Sequence, residues 1–148
     1  MNTKEVMKSQ QKKDVALVLD SLLLSQEKGD FALFSSCFAN QEDVVHIGTD
    51  LDEYWESRSN FMNHMKHMVD RRKGLKIMSD NTRIQISDIG DTAWYTQLID
   101  TSIETKGDPF RLEGFRHSGV MVKNNGEWKI VQSHISVALD HPGDELPG

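Results

Sequence analysis

Polar side chains that could take part in chemistry recur on two stretches near the end of the chain. Arg116 and Ser118 are two residues apart, and Gln132, His134 and Ser136 follow the same spacing. A period of two is that of a β-strand, so the members of each set share one face of their strand. Such a set can form the polar floor of a ligand pocket, a hydrogen-bonded dimer interface or a solvent-exposed face.

A histidine in a short β-branched segment is the candidate general base. His46 lies in the run Asp43-Val-Val-His-Ile47, which is typical of a strand. Alternation turns its side chain away from Val45 and Ile47. A half-buried neutral imidazole can accept a proton near neutral pH, because its ordinary pKa is about 6.5. The alternative is a structural histidine that is hydrogen-bonded to a backbone carbonyl.

Two aromatic side chains are candidate walls of a ligand pocket. Trp55 falls on the apolar stripe of a predicted helix, where it can belong either to the core or to a pocket wall. Tyr95 follows Trp94 in a predicted strand, so the two side chains must face opposite sides of the sheet. Large aromatic groups on both faces indicate that both faces are covered, which favours a homodimer through the outer face.

Other reactive residue types indicate structure rather than a site. Cys37 lies among apolar neighbours with nothing to lower its pKa, so we expect a small buried residue. His64 and His67 are about one helical turn apart, but their polar neighbours are typical of a solvated face, and we expect no metal there. The run Arg71-Arg-Lys73 ends the same helix, where positive charge suits the helix dipole.

The hairpin turn at Asn124-Asn-Gly126 determines which of these side chains meet. A two-residue type I′ turn would place His117 opposite His134, and this pair could join His46 in a zinc or copper site. A type I turn followed by a glycine bulge would instead place Arg116 opposite His134, where its charge would repel a metal and create an anion-binding patch. We favour the bulged turn and therefore expect neither a metal nor another cofactor.

The elements that position these residues fall into helices followed by strands. Apolar spacings of three and four residues predict a first helix that carries the stripe Val15 to Leu23 and ends at Gly29. Asp30 caps a short second helix, and Asp50 caps a third that runs to about Arg71. Four strand-like segments follow at about 75–88, 92–104, 110–123 and 127–138. Short turns between them predict an antiparallel meander, and hence an α+β domain with helices on one face of the sheet.

Length and composition limit the class of protein. The 148 residues suit one domain, and 37% hydrophobic residues can form its core. A net charge of −6 argues against a nucleic-acid binder. We see neither a signal peptide nor a membrane-spanning run, and the one cysteine cannot form an intramolecular disulfide, so we expect a cytoplasmic protein without a membrane partner. The predicted organisation is a flexible N-terminus over 1–10, a domain over 11–138 and a disordered tail over 139–148.

Three motifs resemble a known superfamily. They are Gly90-Asp-Thr-Ala-Trp-Tyr95, Arg116-His-Ser-Gly-Val120 and Gly126-Glu-Trp-Lys-Ile-Val-Gln-Ser-His-Ile-Ser136. Together with the order of the elements, they resemble the nuclear transport factor 2-like superfamily and, within it, the SnoaL-like branch. The resemblance covers about residues 11–138. It implies three N-terminal helices on a strongly curved antiparallel sheet that encloses a conical pocket.

The resemblance implies a domain that binds a small organic molecule. The superfamily contains ketosteroid isomerases, cyclases and dehydratases, and also non-catalytic binding or assembly domains such as the association domain of calcium/calmodulin-dependent protein kinase II. One reading is therefore a cofactor-free isomerase, cyclase or dehydratase, and the alternative is a non-catalytic ligand-binding or assembly domain. In the enzyme reading His46 is the base, because it stands where ketosteroid isomerase carries its carboxylate, and Arg116 or His134 stabilises an anion. The residues that would contact the ligand are Trp55, Tyr95, Ser118, Gln132 and Ser136.

Overall fold

The computed structural model describes residues 2–103 and 110–139, and in them helices precede the main strands. The helices are α1 (Thr3–Lys28), α2 (Phe31–Ser36) and α3 (Arg58–Arg71). Two short strands precede α3, namely β1 (Val45–Ile47) and β2 (Tyr54–Trp55). Four long strands follow it, namely β3 (Lys76–Ile86), β4 (Thr92–Ile103), β5 (Phe110–Asn124) and β6 (Glu127–Ser136). The α+β class is thereby confirmed. The short turn predicted between the segments at 92–104 and 110–123, and residues 140–148 of the predicted tail, lie outside the described residues.

The six strands form one curled, open sheet in the order β2-β1-β6-β5-β4-β3. Strands β3 to β6 form the predicted antiparallel meander. Strand β1 instead runs parallel to β6, so the sheet is mixed, whereas the resemblance implies an antiparallel sheet. The pattern of a short strand shows which residues share a face, but it does not show the direction of the partner strand.

Helix α1 begins earlier than its apolar stripe. Asn2 caps it by accepting a hydrogen bond from the Glu5 amide at 2.8 Å, and the segment 1–10, predicted to be flexible, is helical from Thr3 onward. This part of α1 meets the rest of the domain through polar contacts such as the 2.9 Å ion pair between Lys8 and Asp88. Because these contacts are polar, hydrophobic periodicity does not reveal them.

Helix α3 begins later than predicted. Ser57 is its N-cap, and the helix starts at Arg58 rather than after Asp50. The amide of Asp50 does donate to the Glu53 carboxylate at 2.9 Å, as expected of a capping box, but this bond closes a turn. The chain then forms β2, which pairs with β1, so Trp55 is a strand residue and not part of the helical stripe.

The β5–β6 hairpin closes with a two-residue turn. Asn125 and Gly126 have φ values of 52° and 80°, the left-handed conformations of a type I′ turn, and Asn124 pairs with Glu127. The favoured prediction of a type I turn with a glycine bulge is therefore wrong. Asparagine tolerates the left-handed region, so an Asn-Gly pair can occupy both central positions of this turn.

A bulge farther along this hairpin shifts the register by one residue. As a result His134 pairs with Ser118, and neither His117 nor Arg116 lies opposite it as the two predicted registers required. His117 is buried, whereas His134 is exposed on the other face of the sheet. A turn motif determines the first pair of a hairpin, but a bulge several residues away can still move every later pair.

The core lies between the helices and the inner face of the sheet. Its buried members include Val15, Leu19, Leu22, Phe34, Phe38, Phe61, Met65, Val69, Ala93, Tyr95, Met121, Trp128 and Ile130. Tyr95 is 2% exposed and Trp94 is 48% exposed, which confirms that these neighbours face opposite sides of β4. Cys37 is buried as predicted, and burial raises the pKa of its thiol to about 11. None of the helices in the described ranges has the length and hydropathy needed to span a membrane.

Candidate functional site

Two adjoining recesses lie between the helices and the inner face of the sheet. The aromatic recess has a volume of about 80 Å³ and is walled by Phe34, Phe38, Trp55 and Phe61. The aliphatic recess has a volume of about 230 Å³ and is walled by Leu23, Leu75, Ile77, Ile99, Leu112 and Phe115. Both recesses are lined by Gln26, Thr49, Arg72 and Ile135. Together they reach the lower end of the range of small-molecule pockets, which begins at about 300 Å³.

Arg72 supplies a positive charge where the two recesses adjoin. It is the C-cap residue of α3, and one of its terminal nitrogens donates a hydrogen bond to the side-chain oxygen of Gln26. Burial lowers the pKa of Arg72, and the charge of Glu53 acts in the opposite direction. In residues 2–103 and 110–139, no carboxylate lies within ion-pair distance of its guanidinium.

Glu53 supplies a buried carboxylate on the aromatic recess. One of its oxygens accepts the Asp50 amide, and the other lies 3.3 Å from Nε2 of His64. Gly48 packs closely against it, because a Cβ at that position would lie 2.9 Å from the Cβ of Glu53. The loop between β1 and β2 thus holds a carboxylate beside an imidazole, an arrangement that can accept or return a proton.

His46 lies on the helix side of the sheet. Its Nδ1 is hydrogen-bonded to the Ser133 hydroxyl at 2.7 Å, rather than to a backbone carbonyl. Its ring stacks on Phe61 with centroids 4.1 Å apart and meets the edge of Phe38. Burial, assisted by the charge of Arg58, lowers the pKa of His46 to about 4. The neighbours Ser133, Phe38 and Phe61 line the aromatic recess, so His46 stands directly behind its wall.

Tyr95 belongs to a buried chain of hydrogen bonds that passes through His117. The Thr82 hydroxyl donates to the amide oxygen of Gln97 at 3.1 Å, so the amide nitrogen of Gln97 donates to Nδ1 of His117 at 3.0 Å. Nε2 of His117 therefore carries the proton and donates to the Tyr95 hydroxyl at 3.2 Å. Burial lowers the pKa of His117 to about 4, which keeps this tautomer neutral. His117 lines the aromatic recess, and Tyr95 lies behind it.

The predicted polar set lies on the opposite, outer face of the sheet; it consists of Arg116, Ser118, Gln132, His134 and Ser136. The pairs Arg116–Ser136, Ser118–His134 and Val120–Gln132 follow one another along the β5–β6 ladder. A groove of about 350 Å³ is lined by Arg116, Ser118, His134 and Ser136. The sheet separates this sheet-face groove from Trp55 and the other aromatic candidates. The predicted site residues therefore form two groups that one small ligand cannot contact together.

Several residues of the recesses are absent from the predicted site. The sequence explains Arg72 by the charged end of a helix, Glu53 by its capping-box spacing from Asp50, and His117 only by a possible metal pair. No local pattern could have identified Arg72, because its direction depends on where α3 ends. His64 contacts Glu53, whereas His67 is exposed. In the part of the chain that the structure describes, no three His, Cys, Asp or Glu side chains come together as a metal site.

The chain belongs to the SnoaL-like domain family. The family profile matches residues 15–140, which contain every helix and strand described above apart from the first turns of α1. This match confirms the resemblance based on the three sequence motifs. A comparison with curated proteins returned no match.

Solved structures share the fold. The association domain of calcium/calmodulin-dependent protein kinase II from C. elegans is 18% identical, with 88% of this chain and 98% of that chain covered and a TM-score of 0.71. A candidate dehydratase of the nuclear transport factor 2-like family from Streptomyces avermitilis is 16% identical, with 86% and 96% covered and a TM-score of 0.73. A candidate ketosteroid isomerase from Shewanella frigidimarina is 24% identical, with 83% and 94% covered and a TM-score of 0.67. At these identities the likeness shows the fold alone.

Proposed function

We propose that this chain binds a small organic molecule in the adjoining aromatic and aliphatic recesses. The observation that carries the proposal is a largely apolar interior into which three ionisable side chains converge among the described residues, those of Arg72, Glu53 and His117. Apolar walls that bury a ligand, with a few polar groups that orient it, are the usual composition of a small-molecule site.

The reaction class that fits this site is cofactor-free acid–base chemistry, such as isomerisation, cyclisation or dehydration. His46 remains the predicted base, with Ser133 as its partner. Glu53 is a second titratable group on the aromatic recess, as a mechanism with separate acid and base requires. Arg116 and His134, predicted to stabilise an anion, could act only on a ligand bound at the sheet-face groove.

A non-catalytic binding or assembly domain is the second candidate. It is favoured by His46, because an imidazole with a pKa of about 4 is a weak base at neutral pH. The kinase association domain among the structural neighbours points the same way. Turnover of a bound ligand, and its loss in His46→Gln or Glu53→Gln, would distinguish the enzyme from the binding domain.

Filling the shared part of the recesses is expected to abolish ligand binding. Ile135 lines both recesses, and Ile135→Trp places an indole in the space that a ligand would occupy. With octanamide as a neutral apolar probe in isothermal titration calorimetry, we expect affinity to fall at least about 10-fold, which corresponds to about 1.4 kcal/mol. Leu24→Trp, on an exposed position of α1, is the matched control and should bind as the unchanged protein does. Equal binding by both variants would contradict the proposed site.

We further propose a homodimer formed through the outer face of the sheet. Trp94 is exposed near the start of β4 on this face, where it pairs with Val120, and half-buried Leu98 lies on the same side of the strand. An exposed tryptophan beside aliphatic side chains is a surface that burial would stabilise. The acidic net charge of −6 supports a partner other than nucleic acid. A cytoplasmic location is part of the same proposal, supported by the single buried thiol of Cys37.

Sedimentation equilibrium at tens of micromolar protein tests the dimer. We expect twice the chain mass of 16.9 kDa for the unchanged protein. Trp94→Lys should return the mass to that of one chain, because it places a charge within the proposed interface. Ile89→Lys, in the exposed β3–β4 turn, should remain dimeric. A mass of 16.9 kDa for the unchanged protein would contradict the proposal.

A further inference from the structure

Only one arginine of the run at the end of α3 lines the recesses. Arg71 is exposed, whereas the side chain of Arg72 reaches the residues shared by the aromatic and aliphatic recesses. The C-terminal end of a helix stabilises any nearby cation, so the dipole does not explain why this one points inward. Arg72 is half-buried, and its side chain lies beside the apolar walls of the recesses, where pairing with an anion would stabilise the guanidinium.

Few groups among the described residues offset the charge of the Arg72 guanidinium. Among the described side chains, Gln26 is its one hydrogen-bond acceptor, through the amide oxygen. The amide nitrogen of Gln26 donates to the carbonyl of Leu22 at 3.4 Å, which directs the oxygen toward Arg72. A guanidinium has five N–H donors, so most of them have no partner among these residues. The neutral glutamine orients the cation without neutralising it.

The nearest acidic group is already engaged. The charge of Glu53 raises the pKa of Arg72, but one Glu53 oxygen accepts the Asp50 amide and the other lies 3.3 Å from Nε2 of His64. It also lines only the aromatic recess, whereas Arg72 lines both. Among the described residues that line the aliphatic recess, Arg72 is the one charged group.

We propose that Arg72 binds the carboxylate of an amphipathic monocarboxylate whose aliphatic part occupies the aliphatic recess. This inference rests on the proposed function, because it names the chemical class of the ligand that the recesses bind. The planar guanidinium can donate two parallel hydrogen bonds to a carboxylate, which is the strongest pairing available to either group. The walls formed by Ile77, Ile99 and Phe115 provide an apolar surface for the rest of the molecule.

Two probes with the same aliphatic chain separate the contribution of the headgroup charge to binding from that of the aliphatic chain. Octanoate and octanamide differ in the headgroup alone, so their relative affinities report what Arg72 contributes. By isothermal titration calorimetry of the full chain, we expect octanoate to bind about 10- to 100-fold more tightly than octanamide, as for a charge-assisted hydrogen-bonded pair. Arg72→Gln should remove this preference by weakening octanoate alone. Arg71→Gln, which removes the neighbouring exposed charge, should keep it.

The possible outcomes distinguish this inference from the proposed function. If both probes bind with equal affinity and Arg72→Gln changes neither, the Arg72 inference is overturned while binding in the recesses stands. If neither probe binds, both fail. If octanoate binds but Ile135→Trp does not weaken it, the carboxylate lies elsewhere and both are again overturned.

A second measurement does not depend on the stability of a variant. In the unchanged protein, the Nε–H resonance of Arg72 should shift on titration with octanoate and stay in place with octanamide. Arg72→Lys keeps the charge but cannot form the bidentate pair of hydrogen bonds, so it should retain part of the preference for octanoate. An Arg72 resonance that responds equally to both probes would overturn the inference even if Arg72→Gln fails to fold.

Discussion

Acidification from about pH 7.5 to about pH 4.5 is expected to lower the free energy of unfolding by several kcal/mol. His46 and His117 are both buried in the core, and their pKa values are lowered from 6.5 to about 4. The main cause in each case is burial, which disfavours the charged imidazolium. At pH 5 both rings are therefore mostly neutral in the folded chain and mostly protonated in the unfolded chain.

The sign of this pH dependence follows from the number of protons that the folded and unfolded chains bind. Between pH 6.5 and pH 4 the unfolded chain binds more protons at these two positions than the folded chain, so stability rises with pH across this window. The loss begins as the pH falls below 6.5 and is complete near the folded-state pKa of about 4. Each histidine contributes up to about 3 kcal/mol, which is large beside a total stability of about 5–15 kcal/mol.

Urea unfolding at a fixed protein concentration and at several pH values measures this effect. His46→Gln and His117→Gln should each flatten the dependence of stability on pH, whatever they do to stability at pH 7.5. His134→Gln is the matched control, because this exposed histidine should leave the profile as it is. If the free energy of unfolding of all three variants depends on pH as that of the unchanged protein does, the two buried rings do not take part in acid unfolding.

Gly119→Ala is expected to destabilise the fold by about 3 kcal/mol or more, which corresponds to a decrease in Tm of about 10 °C. A Cβ at this position would collide with the backbone oxygen of Gln132 and with the hydroxyl of Tyr95, and would lie 2.7 Å from the Cζ atom of that ring. Glycine is required here because the hydroxyl end of Tyr95 and the Gln132 oxygen lie against the backbone of β5, and not because of its φ angle.

A double-mutant cycle identifies which collision matters. Tyr95→Phe removes the hydroxyl and leaves the proton on Nε2 of His117 without its acceptor, so alone it should cost about 1–3 kcal/mol. Combined with Gly119→Ala it should cost less than the sum, since the collision with the hydroxyl disappears while those with the Gln132 oxygen and the ring remain. Ser118→Thr adds a methyl group to the outer face and serves as the control. Thermal unfolding of Gly119→Ala within 2 °C of the unchanged protein would contradict the predicted close packing.

The sequence contained more about the fold than about the site. The alternation of Trp94 and Tyr95 and the burial of Cys37 were readable because neighbouring residues determine them. The turn motif in 124–126 likewise predicts the β5–β6 hairpin, and the motif ending at Ser136 indicates the family. These features depend on the local period of a strand or helix, which is set by covalent geometry and needs no knowledge of the distant chain.

The tertiary structure alone decided which side chains share a cavity. A bulge in β6 moved His134 away from both predicted partners, and the sheet then separated it from His117. The end of α3 turned Arg72 toward Gln26, a residue of α1 distant in sequence. Strand register, bulges and helix ends depend on packing between segments that are far apart in the chain. Small differences in free energy between alternative packings of the whole domain therefore determine them. That is why a periodic pattern could predict the faces of the sheet, whereas the residues converging on the recesses became visible only in the folded chain.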